Sequence, residues 1–194
     1  CWACFDVDLL RVSAIWQGKG VTPVSMSQGS YHVPGAKAPQ GQGKLPQIAG
    51  TPWIASGIYP GWQTGQNISF SDPREPGFDP AEIGRGALPA SLGRFKSIQL
   101  LGNGVALNYT AGGVPVREYL QSRIVNGALQ VQRSFEIGAR RSQLNLVLGA
   151  RPDTVKPSLN IAQTDGVTLS RTNETWVIQV PPGNKMQFSV GLSL

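Results

Sequence analysis

Charge is scarce in this chain. Asp, Glu, Lys and Arg make up 14% of its 194 residues, against roughly a quarter in soluble domains at large. There is one histidine, His32, and there are two cysteines, Cys1 and Cys4. A single histidine leaves no Ser–His–Asp set to argue for. No GxGxxG and no Walker-type glycine loop is present, so nothing announces a phosphate cradle. No stretch approaches the ~20 apolar residues of a membrane-spanning helix. The arginines are scattered, with only Arg140 and Arg141 adjacent. A nucleic-acid binder shows a basic run with interleaved aromatics, so nucleic acid is excluded as a partner.

The cysteines stand as Cys1-Trp-Ala-Cys4. Haem attachment needs His after the second Cys, and residue 5 is Phe. Zinc needs two further ligands beside the pair, and His32 alone is on offer. In an extended backbone the two Cα atoms are ~10 Å apart, beyond the ~7 Å reach of a disulfide. A bridge therefore requires a turn. The reading set against it is Cys4 as a small buried hydrophobe and Cys1 as a terminal residue. No metal and no cofactor is expected. The chain opens at Cys1 and enters strand pattern almost at once. That reads as a mature or trimmed piece of something longer. A lipidated Cys1 is a minor option, for want of a tether before the strand.

Turn chemistry is plentiful, with 24 glycines and 15 prolines. From residue 94 onward apolar and polar residues alternate, as in Leu129-Val131-Phe135-Ile137, Leu144-Leu146-Leu148, Trp176-Ile178-Val180 and Met186-Phe188-Val190-Leu192-Leu194. Period two puts one face on a core and one in water. Asn103-Gly104, Gly112-Gly113, Asn126-Gly127 and Asp165-Gly166 punctuate the runs and suit tight hairpins. Strands are predicted near 94–101, 104–110, 114–124, 128–137, 142–149, 157–162, 166–171, 174–180 and 186–193. The fold class is all-β, an antiparallel β-sandwich, read as one domain over 1–194. Earlier in the chain, 4–17 reads as the first strand and 21–33 as the second.

Residues 34–93 differ. They hold nine of the prolines, no periodic segment persists, and a short helical turn is expected at 87–92. Trp53, Tyr59, Trp62, Phe70 and Phe78 are spaced through the stretch, and such rings pin a loop by burying apolar area. It is predicted to be an ordered loop excursion against the sandwich. Charge is uneven too. Residues 1–93 balance six basic with six acidic residues, whereas 94–194 hold eleven against five. A solvated basic sheet face is the plainer reading of that excess.

The candidate functional residues gather near the excursion. Tyr31 and His32 sit at a strand-to-loop exit. Trp53, Tyr59 and Trp62 are candidates for an aromatic platform, and Asp72 with Arg74 for a polar recognition edge. Asp6 and Asp8, ~7 Å apart on one strand face, are candidate acid–base groups with His32 and Asp72. Ordinary surface pairing is the plainer role for both. Arg133 lies in phase with Leu129, Val131 and Phe135. It should face the core, where it needs a carboxylate or carbonyls, unless it marks a sheet edge.

Four segments carry a family resemblance: Cys4-Phe-Asp-Val-Asp-Leu-Leu-Arg-Val-Ser-Ala-Ile-Trp16, Pro60-Gly-Trp62, Asp72-Pro-Arg74 and Leu107-Asn-Tyr-Thr-Ala-Gly-Gly-Val114. Together they resemble an uncharacterised domain of large secreted bacterial proteins that often also carry sugar-dehydrogenase-like propeller and c-type cytochrome domains. The resemblance implies an exported, periplasmic or extracellular accessory module. It would belong to a larger parent polypeptide or complex concerned with carbohydrate oxidation or electron transfer. The expectation is a non-catalytic module that binds a carbohydrate or docks a redox or propeller partner. A structural subunit, and an enzyme of hydrolase or lyase type using His32 with Asp6, Asp8 or Asp72, are the alternatives.

Overall fold

The computed structural model describes residues 1–22, 47–75, 85–150, 158–162 and 166–193. Thirteen strands occur among them and no helix: β1 (Trp2–Asp6), β2 (Arg11–Val21), β3 (Ile48–Ala55), β4 (Trp62–Thr64), β5 (Gly93–Leu101), β6 (Gly104–Ala111), β7 (Val114–Val125), β8 (Ala128–Ile137), β9 (Leu144–Ala150), β10 (Ser158–Ala162), β11 (Thr168–Thr172), β12 (Thr175–Val180) and β13 (Met186–Ser193). They form two antiparallel sheets. The first runs β1-β2-β3-β9-β12-β11, with β4 also paired to β9. The second runs β10-β13-β8-β7-β6-β5. Faced together, the sheets make an open sandwich rather than a closed barrel.

The core is where the alternating runs meet. Leu107, Val131, Phe135, Phe188 and Val190 of the second sheet pack against Ile15, Leu144, Leu146, Leu148 and Ile178 of the first. Trp176 is half-buried at the margin of the same cluster. Trp62 meets Phe135 edge-on, with ring centres 5.7 Å apart, and Phe135 stacks on Phe188 at 4.9 Å. Both arrangements are favoured by the aromatic quadrupole.

Turn chemistry sets the hairpins. Asn126 and Gly127 both have positive φ, at 52° and 78°, as a two-residue type I′ hairpin demands. The β5–β6 connection falls one residue earlier than Asn103-Gly104 suggests. Its turn is Gly102-Asn103, and Gly104 opens β6.

Three expectations are corrected. The run at 4–17 is two strands, β1 and β2, joined by a turn at Val7–Leu10. Asp6 Oδ1 accepts the backbone N–H groups of Asp8 and Leu9 at 3.0 and 3.1 Å, and Leu10 takes a positive φ of 52°. Asp6 and Asp8 therefore belong to an Asx-type turn, not to one strand face. Second, the 34–93 stretch contributes two strands to the first sheet, β3 and β4. The short turn expected at 87–92 is present, with the Leu92 and Gly93 N–H groups both on Pro89 O at 2.8 and 3.2 Å. Third, Cys4 is exposed, not buried, and both cysteines are free thiols. The second strand predicted at 21–33 falls beyond Thr22 outside the described residues.

The excursion, where described, is anchored by its aromatics. Trp53, Tyr59 and Trp62 are buried, and Tyr59 meets Phe70 edge-on at 5.4 Å.

Candidate functional site

Two polar constellations and one recess stand out. The first constellation crosses the core. Trp62 Nε1 donates to the Tyr109 hydroxyl at 2.8 Å, which donates to Glu118 Oε2 at 2.7 Å. Arg133 Nε donates to Glu118 Oε1 at 2.6 Å. Glu118 is wholly buried and Arg133 is 2% exposed. This is the carboxylate that Arg133 was expected to need. Burial first, then the Glu118 charge, pushes the Tyr109 hydroxyl well above its ordinary pKa. Every group has a partner, so the chain serves as a polar tie between the sheets.

The second constellation joins the N-terminal hairpin to the excursion. Arg11 bridges Asp6 at 3.1 Å and donates to the Ser56 carbonyl, the Ser56 hydroxyl and Gly57 O. Arg74 grips Asp72 through Nε and Nη2, both at 2.9 Å, and reaches Gly86 O at 2.7 Å. The Arg74 hydrogen bonds outweigh burial and hold the Asp72 carboxyl at about 2, against 3.8 ordinarily. At neutral pH Asp72 is a paired anion whose role in view is to fasten the loop.

The recess lies on the second sheet. Its register sets Asn108, Arg117, Glu136 and Gln187 in one row across β6, β7, β8 and β13. The next outward row holds Tyr119, Ser134 and Ser189, and the one beyond it Gln121 and Gln132. These rows alternate with the inward row Leu107–Glu118–Phe135–Phe188, as pleating requires. An open recess of about 840 Å³ is lined by the first row together with Lys96, Pro115, Lys185 and Met186. A smaller one of about 290 Å³ adjoins it and shares Glu136 and Gln187.

The side chains there hold one another in place. Arg117 lies over the Tyr119 ring, 5.0 Å from its centre, and donates to Gln99 Oε1 at 3.0 Å. Tyr119 donates to Glu136 Oε1 at 3.0 Å. Burial, then the bond and charge of Glu136, raises the Tyr119 hydroxyl above its usual pKa. Arg117 Nε has no hydrogen-bond partner. The surface therefore offers fixed donors and acceptors beside the apolar flank of Pro115.

Trp53, Tyr59 and Trp62 present no platform, because all three are buried. Asp72 and Arg74 do pair. Tyr31 and His32 lie outside the described residues. No group of three or more His, Cys, Asp and Glu able to hold a metal occurs among the described residues. No helix there is long and apolar enough to cross a membrane. The recess was missed because its signal is a cross-strand row. Only Arg117, Tyr119, Gln121 and Arg123, alternating along β7, could have hinted at it, and Glu118 blurs that pattern.

Fold and site together define an open antiparallel β-sandwich with an open recess on one sheet, lined by charged, amide and apolar residues. The chain belongs to the family described as Domain of unknown function (DUF6797), which matches residues 3–118. That span takes in β1 to β6 and the first residues of β7, and so includes Lys96, Asn108 and Arg117. No curated protein and no solved structure matches the chain.

Proposed function

We propose that this chain is a non-catalytic accessory module that binds carbohydrate on the outward face of the second sheet, in an exported, periplasmic or extracellular setting. The observation that carries the reading is the row Asn108–Arg117–Glu136–Gln187 at the open recess. A sugar presents many hydroxyls, each donor and acceptor, on a ring with apolar C–H faces. Amide, guanidinium and carboxylate groups held in a row meet the hydroxyls in pairs. Pro115 and the half-buried Tyr119 offer the apolar contact. This reading sets the site on the sheet rather than on the excursion, where Trp53, Tyr59 and Trp62 are buried.

The experiment is affinity electrophoresis against a panel of soluble polysaccharides, comparing the wild type with Tyr119→Ala. At least one polysaccharide should retard the wild type, and the variant should bind about tenfold more weakly, about 1.4 kcal/mol, with its thermal midpoint nearly kept. No retardation by any member, or full affinity in Tyr119→Ala, contradicts the proposal.

A second reading, contact with a larger parent polypeptide or a partner protein, is favoured by the second sheet's edge. Ile98 and Leu100, two residues apart on the edge strand β5, are 57% and 80% exposed. Clustered exposed apolar residues mark contact surfaces more often than chance.

A further inference from the structure

The recess is unbalanced in charge. Lys96, Arg117 and Lys185 line it, against the single carboxylate of Glu136. One oxygen of that carboxylate is already taken by the Tyr119 hydroxyl. Arg117 is oriented in advance by Gln99 and by the Tyr119 ring, and its buried Nε has no acceptor.

A fourth cation stands next to the recess wall. Arg140 is 93% buried on its 7% exposure. It donates to Asn184 O at 2.9 Å, and its Nη2 lies 2.7 Å from Met186 Sδ. Its Nε is unpartnered too. None of the ion pairs among the described residues includes Arg140. Burying an unpaired guanidinium is costly, and Arg140 meets the recess lining through Met186, from the core side. Low-dielectric walls of one sign focus their field on an incoming ligand.

We infer that the recess selects an acidic carbohydrate, seating a carboxylate or sulfate group of the saccharide among Lys96, Arg117 and Lys185. This rests on the carbohydrate reading above and names its ligand class. The guanidinium of Arg117 supplies a planar fork for such a group, and the two lysines supply mobile point charges. Glu136, Gln187 and Asn108 remain for ring hydroxyls.

The test is calorimetric titration at neutral pH with matched probes: polygalacturonate against its methyl ester, and dextran sulfate against dextran. Single-stranded DNA is added as a polyanion without sugar acids. The variant is Lys96→Gln/Lys185→Gln, two exposed positions whose loss leaves the core untouched. The control is Arg141→Gln/Arg171→Gln, which removes two charges elsewhere. One acidic probe should bind at least tenfold tighter than its neutral partner. The pair that shows the gain identifies carboxylate or sulfate. The lysine variant should lose about tenfold and the control less than twofold, with binding weaker at higher salt. Equal binding of acidic and neutral probes, still weakened by Tyr119→Ala, overturns the acidic preference and leaves the carbohydrate reading standing. Binding of neither probe removes both. An equal loss in the control, or equal binding of the DNA, overturns the inference as diffuse charge.

Discussion

At the scale of single residues the molecule depends on paired charges more than on their number. Glu118 and Arg133 are both inside the core, joined at 2.6 Å. Removing one member of such a pair leaves the other buried and unpaired. That typically costs about 3–5 kcal/mol, whereas an apolar replacement of both is often neutral or better. Glu118→Ala should therefore destabilise by about that amount in equilibrium urea unfolding. Glu118→Leu/Arg133→Met should recover part of it, the remainder being the cost of leaving the buried Tyr109 hydroxyl without its acceptor. A single variant costing under about 1 kcal/mol contradicts this account of the core. The sequence announces half of the pair: Arg133 falls in phase with apolar neighbours and so demands a partner. It does not announce Glu118, because the partner is set by the β7–β8 register, which no single strand encodes. Asp72 obeys the opposite sign of pH dependence from a buried acid. Its folded pKa of about 2 lies below the ordinary 3.8. Its contribution is thus full above the higher value and is lost as pH falls through the lower. Asp72→Asn should lower the thermal midpoint at neutral pH, and the gap to wild type should close between those two values. A gap that persists unchanged below pH 2 assigns the loss to something other than ionisation.

At the scale of elements, legibility follows local chemistry. Most strands from 93 onward are legible because Gly or Asn turns bound them and apolar residues recur at alternate positions, although β9 is buried on both faces and the β9–β10 connection holds neither Gly nor Asn. The β1–β2 turn is not legible, since Val7–Leu10 contains no glycine and is held by the Asp6 carboxylate, a side-chain device. Strand β3 was hidden by Pro52 and by the Gly18–Gly50 pairing. There a Cβ on Gly50 would sit 2.1 Å from Gln17 O, so the close approach of β2 and β3 requires the glycines. Strand β4 has three residues, too few for any period to show. One hairpin carries a visible cost. Asn173 and Glu174, between β11 and β12, both have positive φ, at 47° and 63°. The left-handed region suits Asn better than Glu, at about 1–2 kcal/mol per ordinary residue. The exposed Arg171–Glu174 ion pair offsets little of that. Glu174→Gly should raise stability by about 1 kcal/mol in urea unfolding, and a fall in stability contradicts the turn assignment.

At the scale of the whole molecule, the two sheets have separate duties. The first sheet takes in the strands of the excursion and buries Trp53 and Trp62, while the Arg11 hydrogen bonds to Ser56 and Gly57 tie the N-terminal hairpin to that stretch. The second carries a core face and, on alternate residues, a continuous polar face. The excess of basic residues in 94–194 is divided accordingly. Arg133 and Arg140 are buried, while Lys96, Arg117 and Lys185 meet at the recess. A solvated basic face is thus only part of the story, since the charges converge where Tyr119 and Glu136 are held. Composition could give the excess but not the convergence, which depends on β5, β7 and β13 lying in one sheet. The central claim is that ligand meets the outward face of that sheet. Its most direct measurement is a two-dimensional amide NMR titration of the labelled protein with a polysaccharide that retards it. The account predicts shift changes concentrated at Lys96, Arg117, Tyr119, Glu136 and Gln187. Changes confined to the Asp72–Arg74 loop or to the first sheet, with these residues unmoved, would contradict it.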